Sequence, residues 1–114
     1  MLLEVVERTI PPDITVMELA GRLELGRESQ RVEARFEEYA RQGVQRVILD
    51  MSGVDYIDSA GIGVVALASG KIKEAGGKLA VVAPDGPVLH LLKQTQLNAI
   101  VTVCQTAAEA EAAV

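Results

Sequence analysis

Val47-Ile48-Leu49-Asp50-Met51-Ser52-Gly53-Val54-Asp55-Tyr56-Ile57-Asp58-Ser59-Ala60-Gly61-Ile62-Gly63 is the stretch on which the reading of this chain turns. Arg46–Met51 has the aliphatic, β-branched character of a buried strand. A loop follows and delivers Asp58-Ser59 to a helix predicted over Ser59–Ala75 and ended by Gly76-Gly77. The same stretch poses the functional question. A hydroxyl at a helix entrance, beside a carboxylate and two glycines, can be a cap, a phosphate acceptor or a nucleophile.

Outward from this unit the pattern repeats. Leu3–Thr9 and Ile14–Ala20 are strand-like runs separated by Pro11-Pro12-Asp13, a turn signal, and predict a hairpin. Gly21–Gly26 reads as a loop. Arg27–Gln42 predicts a helix, with Val32, Phe36, Tyr39 and Ala40 on one face and Gly43 at its end. Lys78–Ala83 predicts a strand, and Asp85 or Gly86 starts a helix through Gln94 with Pro87 in its first turn. Ile100–Cys104 predicts the last strand, and Thr106 caps a last helix. Alternating strands and helices with short loops imply parallel strands joined by right-handed crossovers. The expectation is a single α/β domain over 1–114. Its five-stranded sheet is mixed but mostly parallel, carries about four helices, and has its first strand antiparallel to the second.

Composition narrows the function. The chain has 114 residues, 49% of them hydrophobic but only 3% aromatic, so the expected core is aliphatic and alanine-rich. A net charge of −5 argues against direct nucleic-acid binding, which needs clustered Lys and Arg. The single cysteine, Cys104, has no internal disulfide partner and reads as a small buried residue. With no signal-peptide pattern over Met1–Ile10 and no apolar run near membrane-spanning length, a cytoplasmic protein is expected.

Several readings of Asp58-Ser59 compete. The plainest is an N-cap, since Asp and Ser are favoured there. Gly61, Gly63 and Gly70 nevertheless lie inside the predicted helix, and each costs roughly 1 kcal/mol relative to alanine. Close approach by the sheet or by a partner would explain them. Gly61-Ile62-Gly63-Val64-Val65-Ala66 fits a dinucleotide fingerprint in form, with Asp85 downstream. That fingerprint requires glycine directly after the strand, and about nine residues intervene here. A nucleophilic Ser59 would need a base. The only histidine, His90, sits among leucines on another helix, and no nucleophile-elbow motif is present. No His, Cys or carboxylate cluster has metal spacing, so neither a metal nor a cofactor is expected.

Asp58-Ser59-Ala60-Gly61-Ile62-Gly63-Val64 resembles the D-S-[ST/A]-G-[LI]-G signature of STAS domains, the sulfate-transporter and anti-sigma-factor-antagonist family. Gly21-Arg22-Leu23-Glu24 resembles that family's G-x-L-D loop, and Ile48-Leu49-Asp50-Met51 its central strand. Gly76-Gly77-Lys78-Leu79 and Leu97-Asn98-Ala99-Ile100 fall where the family has turns, so the resemblance covers essentially the whole chain. It implies a βα superhelical fold and, for stand-alone members, a non-enzymatic anti-sigma factor antagonist. In those members the serine after the aspartate is phosphorylated by a partner that is both anti-sigma factor and serine kinase. The unphosphorylated form binds that partner, and a serine phosphatase resets the switch. Ser59 matches the acceptor. Ala60 stands where relatives often carry a second hydroxyl, and Glu24 stands for the usual Asp.

From the resemblance, the partner-binding residues expected are Gly21, Arg22, Glu24, Asp58, Ala60, Gly61, Ile62 and Val64, with Ile62 as an exposed apolar anchor. The physics agrees. Phosphorylation adds about −1.5 to −2 charges, which a helix N-terminus tolerates but a partner interface does not. The alternatives are a STAS scaffold subunit of another signalling or lipid-transport assembly, and a small-ligand-binding α/β domain.

Overall fold

Ten strand residues follow the first turn, where the sequence pattern predicts seven. The computed structural model describes residues 2–114. β1 (Glu4–Ile10) and β2 (Ile14–Leu23) form the expected antiparallel hairpin, with Glu4 opposite Ala20 and Ile10 opposite Ile14. β2 then runs through Gly21-Arg22-Leu23, which sequence reading placed in a loop. Next come α1 (Arg27–Arg41), β3 (Arg46–Ile57), α2 (Ser59–Glu74), β4 (Lys78–Val82), α3 (Pro87–Gln94), β5 (Thr102–Cys104) and α4 (Ala107–Ala113). A 3-10 turn over Leu97–Ala99 shortens the last strand from its expected start at Ile100.

The strands lie side by side in chain order. β1 pairs antiparallel to β2, and all later pairings are parallel. This is the five-stranded mixed sheet expected, with four helices among the described residues.

β3 departs most from expectation. It continues past Met51 to Ile57 because two register shifts each insert one extra residue on the β3 side. Glu18 pairs with Asp50 but Ala20 with Gly53; Gly21 pairs with Val54 but Arg22 with Tyr56. Bulges of this kind break the period-2 pattern that identifies a strand. Gly53 sits tightly at the first shift, where a Cβ would lie 3.0 Å from both the Leu19 carbonyl oxygen and the Ala20 Cβ.

Strand periodicity separates two cores. Met17, Leu19, Leu23, Val47, Leu49, Leu79 and Val81 face one side. They meet Val32, Phe36 and Tyr39 of α1, Val64, Val65, Ala68 and Ile72 of α2, and Leu89 and Leu92 of α3. Ile14, Val16, Ile48, Ala80 and Val82 face the other side and meet Ala110 of α4. The core is aliphatic as expected, yet its two largest fully buried side chains are Tyr39 and Phe36, packed edge to face at 5.3 Å. In α1, Ser29 is buried and Ala40 only half-buried, so the buried stripe starts a turn earlier than the sequence face suggests.

Turns that stop the helices are local and legible. Gly43 and Gly76 have φ of +73° and +85°. Val44 N–H donates to the Tyr39 carbonyl and Gly77 N–H to the Ile72 carbonyl, so both helices end in Schellman motifs. α4 begins with a capping box between Thr106 and Glu109.

Candidate functional site

Leu23 of β2 pairs with Ile57 of β3, so the two parallel strands end together and their outgoing turns lie side by side. This is the juxtaposition expected from parallel topology, because such turns gather at the strands' carboxyl edge. Glu24-Leu25-Gly26 leads into α1, and Asp58 leads into α2.

Asp58 joins the two turns. One carboxylate oxygen accepts the Gly61 N–H at 2.8 Å, which caps α2. The other accepts the Leu25 N–H at 3.0 Å, 33 residues away in sequence. Asp58 N–H in turn donates to the Leu23 carbonyl at 3.3 Å. The backbone N–H groups of Leu25 and then Gly61 hold the carboxyl below the usual aspartate range, because they favour the charged form.

Ser59 is therefore the first helical residue and not the cap. Its side chain is exposed, and among the described residues its hydroxyl has no hydrogen-bond partner. A favoured cap residue sits directly before it and takes the inner donor, which leaves the serine free at the surface.

Gly61 has a packing reason. A Cβ on it would lie 2.3 Å from the Leu23 carbonyl oxygen and 2.7 Å from Ile57 Cγ1, so α2 presses on the ends of both strands. It faces the protein's own backbone, where a dinucleotide-binding glycine would face a phosphate. Gly63 and Gly70 differ, with nothing within 4 Å of a Cβ on either. Intramolecular packing does not account for them.

The expected binding residues divide by exposure. Arg22, Glu24, Asp58 and Ala60 reach the surface in part. Arg22 Nε donates to Glu24 at 2.9 Å, and its guanidinium stacks 3.9 Å from the centre of the Tyr56 ring. Gly21, Gly61 and Val64 are buried, contrary to the expectation that they line a surface. Gly21 has φ +100°, and a Cβ on it would stand 2.5 Å from the Leu2 carbonyl oxygen, so it serves the β1–β2 contact. Ile62 is half-buried against the main core and does not protrude as the expected anchor.

Two large apolar side chains outside the expected set are exposed near the strand ends. Leu25 is 75% exposed and Tyr56 is 41% exposed. Leu25 keeps the inward parity of Leu19 and Leu23, so its pattern suggests a core residue. It is exposed because the chain leaves the sheet after Leu23. Tyr56 lies beyond the second bulge, where parity has already been reset. A large apolar residue between Glu24 and Gly26 in a turn was the available signal for Leu25.

The geometry defines an α/β domain in which the ends of β2 and β3 bring the Leu25 turn onto Asp58 and leave the Ser59 hydroxyl exposed. The chain belongs to the STAS domain family, whose model matches residues 5–110. It is 35% identical over 75 residues to a protein of Thermotoga maritima provisionally named an anti-sigma factor antagonist. That match covers 66% of this chain and 66% of the relative, just under two thirds of the relative's length. A crystal structure of a Thermotoga maritima protein with the same provisional name superposes with a TM-score of 0.82 at 26% identity, covering 93% of this chain and 90% of the other. The Bacillus cell-fate determinant SpoIIAA in its phosphorylated form superposes with a TM-score of 0.73 at 18% identity, covering 94% and 96%. At that identity the last comparison establishes the shared fold. No helix among the described residues is long and apolar enough to cross a membrane.

Proposed function

We propose that this chain is an anti-sigma factor antagonist, a binding module that engages an anti-sigma factor through the surface around Asp58-Ser59 and is released by phosphorylation of Ser59. The partner would be both anti-sigma factor and serine kinase, and a serine phosphatase would restore the binding form. The names of the relatives support the first part. The observation that carries the switch is the division of labour at the helix entrance: the Asp58 carboxylate caps α2 through the Gly61 N–H and ties in the Leu25 turn, and the Ser59 hydroxyl is left exposed.

A phosphoryl group on Ser59 would sit beside the Asp58 carboxylate, which already holds the Gly61 N–H. The added charge is thus displayed outward beside the turn that carries the exposed Leu25, whose N–H bonds to Asp58. A partner seated on Leu25 would meet that charge directly. Like charges about 4 Å apart repel by roughly 4 kcal/mol at an effective dielectric of about 20, and half of that weakens binding about thirtyfold. The fold should persist, because α2's N-terminus is favourable to negative charge. Gly63 and Gly70, one helical face apart from the core and open above, let a partner's backbone approach α2 closely.

Incubation with ATP and the cognate kinase, followed by peptide mapping, tests the assignment. Phosphate should appear on Ser59. Phosphate mainly on Ser52, Ser69 or a threonine would refute it.

A further inference from the structure

β1 is the long unpaired edge of the sheet, whereas the opposite edge strand, β5, has three residues. Proteins guard such edges with proline, bulges or charge, because free N–H and C=O groups recruit other strands. β1 has no proline and no register shift against β2. It also leaves Val5 and Val6 41% and 52% exposed. Only its charges, Glu4, Glu7 and Arg8, remain as a guard.

Those charges are self-complementary in one register. When two copies of β1 pair antiparallel, residues of like parity must face each other, because alternate residues point their N–H and C=O groups to the same edge. Three such registers overlap most of the strand. Centred on Glu7, that carboxylate faces its own copy. Centred on Val5, Glu4 meets Val6 and Glu7 meets Leu3. Centred on Val6, Glu4 of each copy lies opposite Arg8 of the other, Val6 lies opposite Val6, and Val5 faces Glu7, whose carboxylate is already held by Arg35 and Tyr39. Cross-strand pairs of opposite charge stabilise a sheet, and like charges directly opposite destabilise it.

We infer that β1 is a self-association edge, on which a second copy of this chain docks antiparallel about Val6 to make one continuous sheet. The two-fold axis then runs perpendicular to the sheet. Both α1 helices share a face, and the two Asp58-Ser59 edges point in opposite directions, so each remains open to a partner. Arg8, already bonded to Glu18 at 3.3 Å, would gain Glu4 of the second copy. The contact is small, so the dimer should dissociate on dilution.

Sedimentation equilibrium of the full chain should show a reversible monomer–dimer equilibrium. E4R and R8E should each weaken the dimer by roughly tenfold or more, since symmetry counts each like-charge contact twice. Mixing the two variants restores opposite charges at both contacts, so a mixed dimer should form about as readily as the wild-type one. V6K, compatible with folding because Glu18 lies opposite in the hairpin, should also weaken self-association. A chain that stays monomeric up to about 1 mM overturns the inference. So does a dimer that the single variants leave unchanged, with no preference for the mixed pair.

Discussion

Shortening Asp58 to alanine removes the acceptor for two backbone N–H groups, one starting α2 and one in the turn before α1. Ser59 accepts neither bond. Asp58→Ala should therefore lower the melting temperature by several degrees, while Ser59→Ala should leave it nearly unchanged; paired thermal melts check this. The reverse order would show that the serine is the cap. A second residue-scale prediction concerns pH. Burial raises the Glu7 carboxyl, but the Tyr39 hydroxyl and the Arg35 guanidinium outweigh it and hold it low. Tyr39 is shifted up, by burial first and by the Glu7 carboxylate second. A carboxyl depressed in the folded state adds stability above its ordinary range and loses it as pH falls through the folded value. Glu7 and Asp58 both act this way. A phenol raised in the folded state adds stability below its ordinary value of about 10 and loses it as pH rises above that. Urea midpoints should thus be highest between about pH 5 and pH 9 and fall on both sides. Glu7→Gln should flatten the acid limb and Tyr39→Phe the alkaline limb; limbs unmoved by these changes would place the linkage elsewhere.

At the scale of elements, the glycines of α2 separate packing from surface. Gly61→Ala forces a methyl against the Leu23 carbonyl and should cost about 2 kcal/mol or more. Gly63→Ala and Gly70→Ala meet open space and should stabilise the helix by roughly 0.5–1 kcal/mol each. Chemical denaturation of the three variants measures this, and a destabilising Gly63→Ala would mean that α2 is more closely covered than its surface shows. By spacing alone these three glycines look alike, because position along a helix cannot say what stands opposite. Local chemistry is more legible. The helix stops at Gly43 and Gly76, the Thr106 cap and the Pro11-Pro12-Asp13 turn were legible because each depends on a few adjacent residues. The length of β2 and β3 was not. Two extra residues in β3 undo the alternation from Ser52 onward, so Val54 and Ile57 did not read as strand, and the true strand ends were hidden. The site suffered for the same reason. Asp58 and Ser59 stood out through their motif, but the exposure of Leu25 and Tyr56 follows from where the strands stop.

For the whole molecule, the parallel pairing of β2 and β3 is what turns two distant segments into one surface. Leu25 should act there as an apolar anchor: Leu25→Ala should weaken partner binding by about 1–2 kcal/mol without changing the melting temperature. Chemical-shift mapping should centre on Leu25, Tyr56 and Ser59, and perturbations centred on α3 around His90 would move the interface to another face. The switch itself is tested most directly by calorimetry of Ser59→Ala and Ser59→Asp against the cognate anti-sigma factor, beside thermal melts of both. Ser59→Ala should bind as tightly as the unmodified chain. Ser59→Asp should bind at least roughly tenfold more weakly, with both variants melting within a few degrees of wild type. Equal affinities for the two variants, or a loss of binding explained by unfolding of Ser59→Asp, would contradict a surface switch at Ser59.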